Sequence, residues 1–407
     1  MSKSEGKPVS KRMRRRTFLV LCGAGAAAGG VGVVSYRHRR TRPELAESIG
    51  NVAPLPNAPF PNDPLIPKDF EELGIRRMSE LVRLPWFTKD ETGQLCLRPE
   101  AGIGPVIDPH AHLGWAFGLG KSIDMTRTGK VEYFYDYERD QDVLFTQNHP
   151  TLEEAKSITN ENLKLYIKTP ERNQSQSAAN LSAEMDRMNY RNIVLLPIAV
   201  PKHPRHVHDT LKTGPIDPRF VAFGAIYPKP WGPDKLAQLE TQKKAGIIGI
   251  KYHPEFQMIA PDNPDMMKLF EWCEANNIIA YSHVGYTGHE PGFMKRKSVP
   301  DRFIKALQAF PKLRMVFAHT GVRLMDETLE VARKFEDRVW LDISGRSAAN
   351  IAYIFQRYST EKIMYASDWP FMPLAIMMAR GLVATERCPQ LRENFFRANA
   401  ARLLNLA

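Results

Sequence analysis

Five residues carry most of the chemistry legible in this chain: His110 and His112 in "IDPHAH", His283 in "YSHVG", His319 in "FAHTG" and Asp368 in "YASDWP". Each stands where a short apolar run stops. His110 and His112 are two apart, so on a strand from Val106 to His112 both imidazoles project from one face, because successive side chains alternate sides. Nitrogen and carboxylate donors that converge on one face describe a metal site.

Convergence needs a scaffold that brings distant residues together. Apolar runs recur at Val106–Pro109, Ile193–Val200, Phe220–Tyr227, Ile247–Tyr252, Ile278–Ser282, Met315–Ala318, Val339–Ile343 and Ile363–Ala366. Between them, Leu181–Met188, Leu236–Lys244, Met266–Ala275, Phe303–Phe310 and Leu324–Phe335 place apolar residues at the three- and four-residue intervals of a helix face. Strands apolar on both faces and separated by helices predict a parallel sheet with covered faces. Eight such units predict a closed α/β TIM barrel, (β/α)8, rather than an open doubly wound sheet, whose first strand would lead into a glycine-rich loop that "DPHAHLGW" lacks. In such a barrel every strand's C-terminal end opens on one face. Of 11 histidines, five (His110, His112, His253, His283 and His319) fall at these ends.

The predicted domain order is a signal at 1–42, a proline-rich extension at 43–104 turning amphipathic from Phe70 to Val82, and the barrel at 105–407. One connection breaks the rhythm. After the first strand, 113–178 forms a long insertion rich in Trp115, Phe117, Tyr133, Phe134, Tyr135 and Tyr137. Leaving a strand's C-terminal end, it reads either as a lid over the mouth or as an accessory piece, such as an oligomer contact.

From Val106 to Leu404 the chain resembles the amidohydrolase superfamily, in its amidohydrolase-2 branch of hydrolases, lactonases and non-oxidative decarboxylases. The resemblance rests on "DPHAH", "GIKYHP", "SHVG", "AHTG" and "SDWP" in the family's order. It implies that His110, His112, His283 and Asp368 hold one divalent ion, zinc first and manganese as the alternative; imidazole and carboxylate suit both. It further implies that Asp368 and His319 are catalytic: Asp368 takes the proton of an activated water and passes it to the leaving group, and His319 polarises the carbonyl or assists proton transfer. Lys251 and His253 in "GIKYHP", and Arg346 in "LDISGR", read as substrate-binding, the cations meeting a substrate carboxylate. In other branches a carbamylated lysine at the position of Lys251 bridges two metals. Asp108 and Asp342 are placed to orient imidazoles. His203, His206 and His208 in "KHPRHVHD" lie near the mouth.

The expected activity is hydrolysis of a lactone, ester or amide, acting on a small, ring-bearing or carboxylate-bearing molecule. Several decarboxylases of the family carry glutamate in place of the first histidine of the pair, so His110 favours hydrolysis over the alternative, decarboxylation of an unsaturated or aromatic acid. An inactive metal-binding barrel is the third reading.

A net charge of +11 suggests nucleic acid until it is located. Residues 1–42 hold 11 Lys/Arg against one acid, and the remainder 45 against 44, so no basic surface is left for a polyanion. The basic block precedes an apolar stretch from Phe18 to Val34, and Arg15–Arg16 followed by Thr17, Phe18 and Leu19 resembles a twin-arginine export signal. The expectation is a periplasmic or extracytoplasmic protein, membrane-tethered only if that segment stays uncut. Cys22 lies in the signal; Cys96, Cys273 and Cys388 have no C-x-x-C spacing and read as buried free thiols.

Overall fold

The computed structural model describes residues 72–114, 123–139, 170–200, 205–286 and 292–406, with 53, 55, 70 and 290. The signal segment, Trp115, Phe117 and His203 lie outside them. No helix among the described residues is long and apolar enough to cross a membrane.

A small antiparallel hairpin, β1 (Phe87–Lys89) and β2 (Leu95–Leu97), precedes the barrel and follows a short 3-10 helix at Met78–Arg83. The proline-rich reading of 43–104 contained the helix but not the hairpin, whose strands are only three residues each. The eight strands that follow are β3 (Val106–Ala111), β4 (Tyr190–Leu195), β5 (Phe220–Ala222), β6 (Gly249–Tyr252), β7 (Ile279–Gly285), β8 (Met315–Val322), β9 (Val339–Asp342) and β10 (Ile363–Met364). All pairings among them are parallel, in two arcs, β3-β4-β5 and β6-β7-β8-β9-β10.

Two seams join the arcs. At one, Gly224 pairs with Ile250, Gly224 N–H donating to Gly249 O at 2.9 Å and Lys251 N–H to Gly224 O at 2.8 Å. Glycine is required here because a Cβ at Gly249 would overlap the Phe223 ring and one at Gly224 the Gln242 amide. At the other seam Ala111 pairs with Trp369. The result is the predicted closed barrel. Helices occupy the expected stretches and also Arg205–Leu211, Ala348–Arg357 and Leu374–Ala384. The last is buried along its whole length, so it lacks the polar face that helical spacing reads.

Side chains divide between a shell under the helices and an interior layer of Ile107, Val194, Leu196, Phe223, Ile279, Tyr281, Val316, Ala318 and Met364, closed below by Leu403 and Leu404. Cys273 and Cys388 are buried and outside any disulfide, and Cys96 is half-buried. Several strands are shorter than their apolar runs. Strand β4 ends at Leu195, within its apolar run.

Candidate active site

The Ala111–Trp369 seam builds the first part of the site. Asp368 N–H donates to His110 O at 2.8 Å and His112 N–H to Trp369 O at 2.5 Å, so the two chain segments are locked in register. That lock sets His110 Nε2 3.1 Å from His112 Nε2, and Asp368 Oδ1 3.3 Å from the first and 3.2 Å from the second. Donor atoms around a tetrahedral zinc, at bond lengths near 2 Å, stand about 3.3 Å apart. A wider set of His110, His319 and Asp368 has ligand atoms within 4.8 Å of one another.

The protons can be placed by elimination. His110 Nδ1 lies 2.9 Å from Asp342 Oδ2, and His112 Nδ1 2.5 Å from Leu196 O. Both partners only accept, so each ring carries its proton on Nδ1 and turns a lone pair on Nε2 inward. Two lone pairs and a carboxylate oxygen within 3.3 Å repel unless a cation sits among them. This donor set therefore fits a divalent ion. Lys251 already reaches the same place, its Nζ 3.2 Å from His110 Nε2 and above the Tyr281 ring.

Burial keeps the imidazoles neutral, the form a metal needs. It pushes His112 down to about 3 and His110 and His319 to about 4, the charge of Lys251 adding to the shift at the first two. It pushes Lys251 down to about 8 against the pull of Asp368 and Asp342. Asp342 is held far below the usual carboxylate range: burial works to raise it and is outweighed by His110, His319 and Ser344. The unfolded chain takes up imidazole protons below its ordinary 6.5, whereas the folded chain resists until about 4. The imidazoles' contribution to stability of the metal-stripped protein is thus full above pH 6.5 and falls as the pH drops from there toward about 4, by about 1.4 kcal/mol per pH unit for each such imidazole, opposed by the one carboxyl of Asp108, which burial pushes up to about 7. Urea titrations across that range check it; a flat profile would contradict the neutral, buried cluster.

His283 and His253 come next. Their rings stack at 4.2 Å and 10°, and His283 meets His319 edge-on at 4.8 Å. His283 Nε2 is buried without a hydrogen bond, 3.9 Å from Glu255 Oε2. His253 thus packs against His283, its own Nδ1 accepting from Phe256 N–H at 3.4 Å.

His319 departs from the pleat. Val316 and Ala318 face the barrel interior, so simple alternation would turn residue 319 outward. Its φ of 60° swings it back in, and Thr320 and Gly321 continue in the left-handed region at 45° and 73°. Such backbone costs about 1 kcal/mol or more per residue and needs holding. Asp342 Oδ1 accepts from His319 N–H at 2.8 Å, and Arg346 donates to the carbonyls of His319 and Gly321, each at 2.6 Å, and of Thr320 at 3.3 Å.

That placement gives Arg346 a structural task that its expected meeting with a substrate carboxylate did not include. Only 1% exposed, it gives its Nε and one terminal nitrogen of its guanidinium to these backbone carbonyls. Arg346→Lys, which cannot match a planar fork, is expected to cost about 3 kcal/mol of stability and to lower kcat. A variant with raised KM and unchanged thermal midpoint would restore the substrate role.

The expectation that Asp108 orients an imidazole is corrected. Its Oδ1 accepts from His110 N–H at 2.9 Å and Ser367 N–H at 3.1 Å and touches no imidazole ring. The pairing of β3 with β4 shifts register between Asp108 and Ala111, so Ile107 and His110, of opposite parity, both face inward and Asp108 does not share their direction. His206 is buried in the fold, its Nδ1 accepting from Ile198 N–H at 3.0 Å.

At the rim, Phe371 meets His112 edge-on at 5.9 Å and Phe134 at 5.3 Å, and Tyr137 donates its hydroxyl proton to Phe371 O at 2.8 Å. The described part of the aromatic insertion therefore leans on the loop that carries Asp368.

Sequence reasoning missed Tyr281, whose hydroxyl bonds Asp342 Oδ2 at 2.6 Å, Ser344, which bonds Asp342 Oδ1 at 2.6 Å, and Glu255. A signal existed. Tyr281 precedes His283, Ser344 follows Asp342 and Glu255 follows His253 by two residues each, the spacing of one strand face.

Many solved structures share this fold, and three of them follow. An uncharacterised TIM-barrel protein from Bordetella bronchiseptica is 15% identical over 74% of this chain and 98% of its own, with a TM-score of 0.50. A 5-carboxyvanillate decarboxylase from Sphingomonas paucimobilis is 15% identical over 74% and 99%, also at 0.50. Another, from Novosphingobium aromaticivorans, complexed with manganese and 4-hydroxy-3-methoxy-5-nitrobenzoic acid, is 14% identical over 76% and 98%, again at 0.50. No curated protein matches the chain. At such identities the structures speak for the barrel alone. The profile of the Amidohydrolase family (Amidohydro_2) matches residues 107–406, a span that begins inside β3 and takes in every strand end described above, so the chain belongs to the amidohydrolase family.

Proposed function

We propose that the chain is an exported, metal-dependent hydrolase that cleaves a lactone, ester or amide of a small molecule. The observation that carries the chemistry is the meeting of three acceptors, His110 Nε2, His112 Nε2 and Asp368 Oδ1, within 3.3 Å of one another. These residues, with His283 approaching through His319, would hold one zinc or manganese ion. Bound there, a divalent ion supplies a water acidic enough to attack at neutral pH and polarises the carbonyl.

The chain's own residues do the rest. Asp368, whose side chain is 14% exposed while that of His110 is closed off, is the member of the triangle open to the mouth and is placed to take and return a proton. His319, with Nδ1 2.8 Å from Ser344 Oγ, is held to face the carbonyl. Lys251 brings a buried cation beside the triangle, suited to a substrate carboxylate or a developing oxyanion. The same cation gives the second reading, decarboxylation of an unsaturated or aromatic acid, its support. Export rests on the Arg15–Arg16 segment.

Protein loaded with zinc or manganese, screened against lactones, esters, amides and aromatic acids with acid release and carbon dioxide followed in parallel, separates the readings. Acid release without carbon dioxide is the expected result, abolished by chelator and restored by the metal. Carbon dioxide release would establish the second reading in its place.

A further inference from the structure

Glu184 sits mid-helix in Ala178–Arg187, far in sequence from the motifs, and only 3% exposed. A carboxylate buried so deeply is costly unless several donors serve it. Two do: Trp369 Nε1–H at 2.8 Å to one oxygen and Leu374 N–H at 3.0 Å to the other. The donors come from the residue next to Asp368 and from the first turn of helix Leu374–Ala384.

Asp368 needs such support. Its φ is 63°, in the left-handed region, and its carboxylate must stand within 3.3 Å of two imidazole nitrogens. One hydrogen bond, from its own backbone N–H to His110 O, fixes it to β3 on one side. On the other, the Trp369 ring is fully buried and the indole N–H ends on Glu184. Resting on the reading of Asp368 as a metal donor, we infer that Glu184 is a positioning residue: it fixes the Trp369 ring, and through it the turn that aims the Asp368 carboxylate at His110 and His112.

Titration of Mn²⁺ into chelator-stripped full-length protein tests this, at a temperature where parent and variants are all folded. Glu184→Gln keeps the shape but turns an amide N–H₂ toward donors, and is expected to raise the Mn²⁺ dissociation constant about tenfold or more. Trp369→Phe removes the indole donor and is expected to act in the same direction. Combined, the two raise the constant no further than the larger alone, since they break one contact. Should Glu184→Gln not fold, Trp369→Phe, which leaves the bond to Leu374 in place, decides by the same titration. A Glu184→Gln protein that unfolds at lower temperature yet binds Mn²⁺ like the parent overturns the inference. A parent that binds no divalent ion overturns the site reading, and this inference with it.

Discussion

Asp368→Asn is expected to lower kcat/KM by about a thousandfold or more while leaving the barrel folded. The separation follows from how the residue is built in. Its structural work is done by the backbone, whose N–H bonds His110 O at 2.8 Å and whose carbonyl accepts from Phe371 N–H at 2.9 Å. Asparagine tolerates the left-handed φ of 63° about as readily as aspartate does, so the turn survives. What is lost is the negative oxygen facing the Nε2 atoms of His110 and His112, and with it both a metal donor and the proton acceptor. Initial rates, metal content and thermal midpoint together check it. Parent-like turnover by a folded Asp368→Asn protein would remove Asp368 from the chemistry.

Asp342→Asn is expected to weaken metal binding by about 10–100-fold and to cost about 1–3 kcal/mol of stability. Its carboxylate is buried and serves five donors: His319 N–H, Ser344 N–H and Ser344 Oγ–H on one oxygen, His110 Nδ1 and the Tyr281 hydroxyl on the other. An asparagine would keep its oxygen toward the three donors around Ser344 and turn its N–H₂ toward His110. That inverts the imidazole: Nδ1 becomes the acceptor, the proton moves to Nε2, and the atom that should offer a lone pair to the metal carries a hydrogen. The measurement is metal affinity against stability in the same variant. A loss of stability with unchanged affinity would show that Asp342 holds the His319 turn without setting the tautomer of His110.

The barrel was legible because each of its units repeats a local signal. Apolar runs such as Met315–Ala318 and Ile278–Ser282 coincide with β8 and β7 to within a few residues, since a strand buried on both faces must be continuously apolar. Helix Leu374–Ala384 was not legible for the opposite reason: buried all round, it has no polar face to mark its period. The strand-end residues were legible as a set, because a parallel barrel puts every C-terminal end on one face.

The sequence by itself determined which residue types stand at the strand ends and, by the two-residue period, that His110 shares a face with His112 and Lys251 with His253. Tertiary structure decided which of them meet. The register shift after Asp108 sends that carboxylate to backbone N–H groups, the left-handed turn at His319 returns its ring to the interior, and Arg346 holds that turn. The seam between β3 and Trp369 brings His110 within 3.3 Å of Asp368, 258 residues further along the chain. A bulge, a positive φ and a barrel seam depend on what pairs with a segment from elsewhere in the chain, and local alternation carries no record of that partner.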